Sequence, residues 1–258
     1  MTVIGDLSGR AFLVTGGAGG FGKASAHLLV RDGAAVVLMG RTHEKLQLAR
    51  NSLRAACPGA AVVCHVGDAS RKDDVAAAYR TVAELGSVGG AVLVVGGASG
   101  FGPVGAIDAD AFVNDYRLNV GSALVGVQEG LVHMGNGGSI VCISSTAAKL
   151  TFPNLASYCA AKAGLEQFVR AAADELGPRG VRVNCVRPGL TRTDGLEAAF
   201  ARPGYVEGFL PQIPLGRTGI PDEVAQAVRY LAGPESQWVT GQSFAVDGGN
   251  ELRMAPRG

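Results

Sequence analysis

Ala11-Phe-Leu-Val14-Thr15-Gly16-Gly17-Ala18-Gly19-Gly20-Phe21-Gly22 joins a short apolar run to a dense glycine turn, and a helical pattern through Ala26, Leu28, Leu29 and Val30 follows. The order is strand, glycine turn, helix. Glycines let the backbone turn tightly and approach a pyrophosphate, which then rests on the exposed N–H groups and positive end of the helix. A glycine turn alone can be no more than a sharp loop. Its place between a buried strand and a helix points to a dinucleotide site.

Outward from that turn the alternation continues. Ala35–Met39, Ala61–Val66, Ala91–Val95, Ser139–Ile143, Val181–Val186 and Ser243–Val246 read as strands, with helices over Glu44–Ala56, Asp73–Leu85 and about Asp110–His133. Nearly continuous apolar strands separated by helices predict an α/β fold: a doubly wound parallel sheet of about seven strands, covered on both faces. No linker, low-complexity tract or second domain interrupts residues 1–258, so one domain is expected. The only internal echo is Gly96-Gly-Ala-Ser-Gly-Phe-Gly102, read as a second strand end opening onto the same crevice.

Composition narrows the function. The 258 residues are 47% hydrophobic and 17% charged, with a net charge of +1, so there is no basic excess for a nucleic acid. Cys57, Cys64, Cys142, Cys159 and Cys185 are scattered without a C-x-x-C pair, which suits reduced thiols in the cytoplasm. The four histidines are equally dispersed, so no metal site is expected. The opening Met1-Thr-Val-Ile-Gly-Asp6 carries no export signal, and no apolar run is long enough to span a membrane.

Chemistry is concentrated in Ser144-Ser145-Thr-Ala-Ala-Lys-Leu-Thr-Phe-Pro-Asn-Leu-Ala-Ser-Tyr158-Cys-Ala-Ala-Lys162. After Pro153, Ala161, Leu165, Phe168, Val169, Ala172 and Leu176 recur at helical spacing until Gly177-Pro178. Tyr158 and Lys162 therefore share one helix face, a turn apart. A phenol with an ordinary pKa of about 10 needs a nearby cation to carry protons near neutrality, and Lys162 offers one. Ser145 could hold the same substrate oxygen. A Tyr followed four residues later by Lys is common enough by chance that the pair decides nothing alone.

At the end of the second strand stands Gly40-Arg41-Thr42. A carboxylate for ribose hydroxyls is missing there, and Arg41, with His43 and Lys45 after it, suits a ribose 2′-phosphate. An ordinary solvated arginine at a helix start would read the same way. The cation favours NADP over NAD.

Together, Thr15-Gly-Gly-Ala-Gly-Gly-Phe-Gly22, Asn119, Ser145 and Tyr158-x-x-x-Lys162 resemble the short-chain dehydrogenase/reductase family, and the resemblance covers nearly the whole chain. It implies a Rossmann-type domain in which Tyr158 is the general acid/base and Ser145 orients the substrate oxygen. It further implies that Lys162 binds the nicotinamide ribose and lowers the pKa of Tyr158, and that Asn119 holds a water in a proton relay. From the residues alone Asn119 is a polar residue within a helix, satisfied by backbone. The implied cofactor contacts are Gly16, Gly19, Gly20, Phe21, Gly22, Arg41, Asp68, Ala69, Gly96, Tyr158, Lys162, Pro188, Gly189, Thr191 and Thr193. Asp68 also reads as a helix N-cap. One departure is plain: Val95-Gly96-Gly97-Ala98 stands where the family usually has Asn-Asn-Ala-Gly, an asparagine that braces the sheet beside the cofactor.

Between 190 and 214, Leu196, Phe200, Tyr205, Phe209 and Leu210 alternate with glycines and prolines. In the family this region covers the substrate, and an apolar lid favours a hydrophobic alcohol or ketone. A surface helix packed on the domain is the alternative. Small residues such as Gly121, Ala123, Gly126, Ala160, Ala161 and Gly164 suit the helix contacts of the family's tetramers, or packing within one subunit. Two rival functions stay open: a 3-ketoacyl reductase fed by an acidic carrier protein, with Arg117 or Arg170 as basic contacts, and a non-catalytic NADP-sensing protein.

Overall fold

The computed structural model describes residues 5–94 and 96–253. Val95, which closes the expected fourth strand and opens the replaced motif, lies outside the described residues, as do the first four residues and 254–258. In chain order the elements are β1 (Arg10–Thr15), α1 (Gly20–Arg31), β2 (Ala35–Gly40), α2 (His43–Ala56), β3 (Val62–Val66), α3 (Lys72–Leu85), β4 (Ser87–Leu93), α4 (Ala109–Tyr116), α5 (Ser122–His133), β5 (Gly138–Ile143), α6 (Ala156–Leu176), β6 (Val181–Pro188), α7 (Glu197–Phe200), α8 (Tyr205–Phe209), α9 (Pro221–Ala232) and β7 (Ser243–Val246).

The strands form one sheet in the order β3-β2-β1-β4-β5-β6-β7, and every pairing is parallel. Strand side chains alternate between the two faces. Ala11, Leu13, Val37, Met39, Ile140 and Cys142 point to one face, where Tyr79 of α3, Val127 of α5 and Leu165 of α6 cover them. Phe12, Val14, Val36, Leu38, Val141 and Val186 point to the other, under Leu29 of α1, Leu46 of α2 and Val228 of α9. The near-continuous apolar strands of the sequence thus serve two cores.

The strand order reverses at β1 and β4, so their carboxyl ends open a crevice. Thr15 Oγ1 donates to the Val94 carbonyl at 3.3 Å there. The glycine turn after β1 and the loop after β4 are therefore fastened side by side.

Several elements differ from the sequence reading. β4 begins at Ser87, ahead of the expected Ala91, because Gly89-Gly90 is strand and not turn. A Cβ on Gly90 would lie 1.8 Å from the Ser139 carbonyl oxygen, and one on Gly89 would lie 2.7 Å from the Phe12 ring. Only glycine lets β4 close on β5 at that register. The long helix expected over 110–133 is broken by a π-helical turn at Arg117–Gly121, centred on Asn119. Helix α9, with Pro221 at its start and Asp222 and Glu223 in its first turn, was not among the elements read from sequence. Asp68 is not a helix N-cap: Arg71 holds that place, and Asp68 Oδ1 instead accepts the Ser70 N–H at 2.8 Å in the turn before it.

Candidate active site

The glycine turn divides its work. Gly16 and Gly19 are exposed, while Gly17 and Gly22 are buried. A Cβ on Gly22 would lie 2.3 Å from the Gly16 carbonyl oxygen, so that glycine seats α1 against the turn. Gly16 has φ +59°, which glycine adopts freely. Gly19 caps α1, and among the described residues no capping side chain takes up the first N–H groups of the helix. A diphosphate fits that end by charge and by donor direction. Thr193 packs over Gly20, where a Cβ would come within 3.1 Å of Thr193 Cγ2, and Thr191 Oγ1 donates to the Gly189 carbonyl at 3.0 Å. The Pro188–Thr193 segment therefore borders the glycine turn.

At the other end of the crevice, Arg41 is exposed just past β2, and partly buried Asp68 and Ala69 follow β3. Backbone and side-chain hydrogen bonds from Ser70 hold Asp68 below the usual carboxylate range, and the charges of Arg41 and Arg117 add to this. Arg41 and Asp68 are thus electrostatic neighbours.

Ser145 leaves β5 in extended conformation, and its hydroxyl accepts the Ala147 N–H at 3.2 Å. Tyr158 sits in the first turn of α6 and is partly buried, whereas Lys162, one turn on, is 2% exposed. Lys162 Nζ lies 5.6 Å from the Tyr158 ring centroid and donates to the Ile143 carbonyl at 2.9 Å. Asn119 is fully buried in the π-helical turn, where its Nδ2 donates to the carbonyls of Asp115 at 2.8 Å and Gly97 at 3.0 Å. Its Oδ1 has no partner among the described residues. A Cβ on Gly96 would meet both Asn119 Oδ1, at 2.1 Å, and Lys162 Nζ, at 3.0 Å. Asn119, Gly96, Lys162, Tyr158 and Ser145 therefore meet at one place.

Burial pulls Lys162 from 10.5 down to about 8, although Cys185, Cys142 and Glu166 push it up. The Tyr158 phenol is raised above its ordinary value, chiefly by burial, while Ser145 opposes and the charges of Cys159 and Asp115 add to the rise. The acidification of Tyr158 by Lys162 expected from the sequence is thus not produced by the protein's own groups. Burial costs the phenolate more than its neighbours return.

Phe152 stacks on Phe209 with ring centroids 6.3 Å apart, Phe209 meets Tyr205 at 5.3 Å, and Tyr205 meets Phe200 at 6.2 Å. The aromatic residues of 190–214 thus form a row that reaches the loop following Ser145. A separate cavity of about 460 Å³ touches Gly189 and Thr191 but none of Ser145, Tyr158 or Lys162. Among the described residues, no group of three or more His, Cys, Asp or Glu is placed to hold a metal, and no helix is long and apolar enough to cross a membrane.

Sequence reasoning missed the roles of five side chains around the site. Ser144 Oγ donates to Glu166 Oε1 at 2.8 Å, and Arg187 Nη1 donates to Glu166 Oε2 at 3.1 Å. Asp115 lies four residues before Asn119, and Phe152 begins the aromatic row just described. Glu166 follows Lys162 by one helical turn, a spacing that the sequence displayed.

A family model described as enoyl-(acyl carrier protein) reductase matches residues 16–251. A 2-(S)-hydroxypropyl-CoM dehydrogenase of Xanthobacter autotrophicus is 34% identical over 251 residues, covering 94% of this chain and 97% of that protein. The chain belongs to the short-chain dehydrogenase/reductase family. A short-chain dehydrogenase/reductase structure from Mycobacterium ulcerans superposes with TM-score 0.93 at 36% identity, covering 98% of this chain and 93% of that one. An NADPH-bound short-chain oxidoreductase from Pseudomonas aeruginosa, described as having an atypical catalytic centre, superposes with TM-score 0.87 at 32% identity over 95% of this chain and 97% of that one. As a short-chain dehydrogenase/reductase the chain is an oxidoreductase of the CH–OH/C=O type, dependent on a nicotinamide cofactor.

Proposed function

We propose that this short-chain dehydrogenase/reductase interconverts a hydrophobic alcohol and its ketone with NADP(H), through Ser145, Tyr158 and Lys162. One observation carries the reading: Tyr158 stands beside Ser145, with Lys162 5.6 Å from its ring, and the loop between Ser145 and Tyr158 carries Phe152, the start of an aromatic row that runs to Phe200. A bound nicotinamide would supply or accept the hydride. Gly16, Gly19, Gly20, Phe21 and Gly22 would cradle its diphosphate, while Asp68, Ala69 and Arg41 would take the adenosine end. Gly96 and Pro188, Gly189, Thr191 and Thr193 would flank the nicotinamide half. Arg41, exposed and electrostatically close to Asp68, supports a 2′-phosphate over a bare ribose.

In the reducing direction Tyr158 gives its proton to the carbonyl oxygen as charge develops there, and Ser145 donates a second hydrogen bond to that oxygen. A neutral phenol is the form that donates, and burial keeps Tyr158 in that form. Lys162, anchored on the Ile143 carbonyl, holds positive charge behind the ring. Asn119 Oδ1, buried and unpartnered among the described residues, supports a role in holding a water for proton resupply.

Residues 190–214 act in this reading as a lid on a single catalytic domain. Assembly as a homotetramer draws support from Phe112, Val113, Tyr116, Leu124 and Val132, exposed on α4 and α5. Within the subunit, Gly126 is already needed against Leu93 and Gly164 against Tyr116.

A panel of apolar ketones, sugars and acyl-carrier thioesters, assayed in both directions with NADPH and NADH, tests the whole reading. Turnover of apolar ketones with NADPH, abolished in Tyr158→Phe, supports it. Turnover confined to carrier thioesters, or cofactor binding with no turnover of any compound, overturns it.

A further inference from the structure

Gly96 and Gly97 have no side chains with which to hold the loop that follows β4, yet that loop forms one side of the site. Its fastening comes from elsewhere. Asp115 is fully buried near the end of α4, and its carboxylate faces the loop. Oδ1 accepts from the Ser99 N–H at 2.6 Å and the Ser99 hydroxyl at 2.7 Å. Oδ2 accepts from the Gly100 N–H at 3.1 Å and lies 2.6 Å from the Ser157 hydroxyl. Four donors thus fill the four lone-pair sites of one carboxylate. The main chain of Asp115 takes part too: its carbonyl accepts one proton of the Asn119 amide, whose other proton goes to the Gly97 carbonyl.

Ser157 is the residue before Tyr158. Its hydroxyl also lies 2.9 Å from the Gly100 carbonyl, and a Cβ on Gly100 would sit 2.5 Å from Ser157 Oγ. Further along, the Gly102 N–H donates to the Asn154 carbonyl at 3.0 Å. Loop and catalytic helix are therefore in direct contact, with one buried carboxylate tied to both.

We propose that Asp115 is a positioning residue for the reaction, clamping loop 96–102 against Ser157 so that the Tyr158 phenol on the next residue is held in register. The proposal rests on the oxidoreductase reading above and adds to it the group that fixes its proton donor. It also explains how the chain manages with glycines where the family carries an asparagine.

The test is Asp115→Asn in the full-length protein. An amide of the same shape keeps one acceptor oxygen and turns an NH₂ group toward donors. Hydrogen exchange of the Ser99 and Gly100 amides is expected to quicken by about tenfold or more, with the β-sheet amides unaltered. Turnover of a ketone that the wild type reduces should fall by roughly 30-fold, mainly in kcat, while NADPH affinity changes by less than about threefold. The pH profile adds a readout that loss of structure would not move. The groups bearing on Tyr158 are Ser145, Cys159, Asp115 and Lys162, and among them the Asp115 charge raises the phenol. Its removal shifts the Tyr158 limb of kcat/KM to lower pH.

Ser157→Ala provides the second arm, since it cuts the link to the catalytic helix but keeps the carboxylate. Its kcat should fall with the Tyr158 limb unmoved, which decides the matter if Asp115→Asn does not fold. Unchanged exchange at Ser99 and Gly100 in folded Asp115→Asn, or unchanged kcat in Ser157→Ala, overturns the proposal. Should the wild type reduce no carbonyl compound, the oxidoreductase reading fails by itself, and the exchange measurement still rules on the clamp.

Discussion

Replacing Lys162 with methionine is expected to make the protein more stable near neutral pH while removing its activity. Burial lowers the Lys162 pKa from 10.5 to about 8. At ~1.4 kcal/mol per tenfold change in proton affinity, keeping that ammonium inside costs ~3 kcal/mol while it is charged. Lys162→Met also forfeits the hydrogen bond to the Ile143 carbonyl, worth ~1 kcal/mol. The variant should therefore exceed the wild type by ~2 kcal/mol at neutral pH. The folded-state value is depressed, so between about 8 and 10.5 the unfolded chain holds a proton that the folded chain has released. Wild-type stability consequently rises through that window by ~1.4 kcal/mol per pH unit relative to the variant, and the gain is lost as pH falls through 8. Near pH 10 the order of the two proteins should reverse by a few tenths of a kcal/mol. Urea unfolding of both proteins across the range reads this directly, because titrating groups common to both cancel in the difference. A stability difference that stays constant with pH would refute the reasoning.

Tyr158→Phe should abolish turnover while NADPH binding, followed by its fluorescence, stays within about threefold; residual turnover near the wild-type level would remove the phenol from the mechanism. Arg41→Asp should lower the NADPH-to-NADH ratio of kcat/KM by about tenfold or more, through loss of a charge-assisted contact, and an unaltered ratio would sever Arg41 from coenzyme choice. Glu166→Gln should cost ~3 kcal/mol in urea unfolding, since it leaves the buried Arg187 guanidinium facing Glu251 alone; a loss under ~1 kcal/mol would show that the pair contributes little. Gly90→Ala should not yield soluble protein, because its Cβ would sit 1.8 Å from the Ser139 carbonyl oxygen; a soluble variant of wild-type stability would mean that β4 and β5 are not so closely joined.

What the sequence made legible was whatever repeats a local period. The β1 run, the glycine turn and α1 carry their own signals, and the last strand, Ser243–Val246, falls where its alternation placed it. The start of β4 did not, because Gly89-Gly90 has the composition of a turn and only the proximity of Phe12 and Ser139 makes it strand. The π-helical turn at Arg117–Gly121 was likewise hidden, since one extra residue per turn leaves the apolar pattern of a long helix almost unchanged. Tyr158 and Lys162 could be paired from spacing alone. The rise in the Tyr158 pKa could not, because it depends on how much water the surrounding chain excludes. Asp115 was invisible for a different reason: its four donors come from Ser99, Gly100 and Ser157, which lie 15 to 42 residues away.

The buried charges themselves argue that this region is arranged for chemistry and not for stability. Lys162, Glu166 and Arg187 are each at most 4% exposed, and apolar residues of similar volume would pack there at least as favourably. Each charge instead fixes a segment that the proposed reaction uses. Glu166 ties Ser144, the neighbour of Ser145, to Arg187, the residue before Pro188-Gly189. Its negative charge also raises the proton affinity of Lys162, partly offsetting burial. Lys162 then fastens α6 to the end of β5 at Ile143. Neutralising two of these neighbours should accordingly move stability in opposite directions, upward for Lys162→Met and downward for Glu166→Gln, while lowering turnover in both. Residues that served only the scaffold would lose activity in proportion to stability, and that divergence in sign is what separates a positioned site from a merely well-packed one.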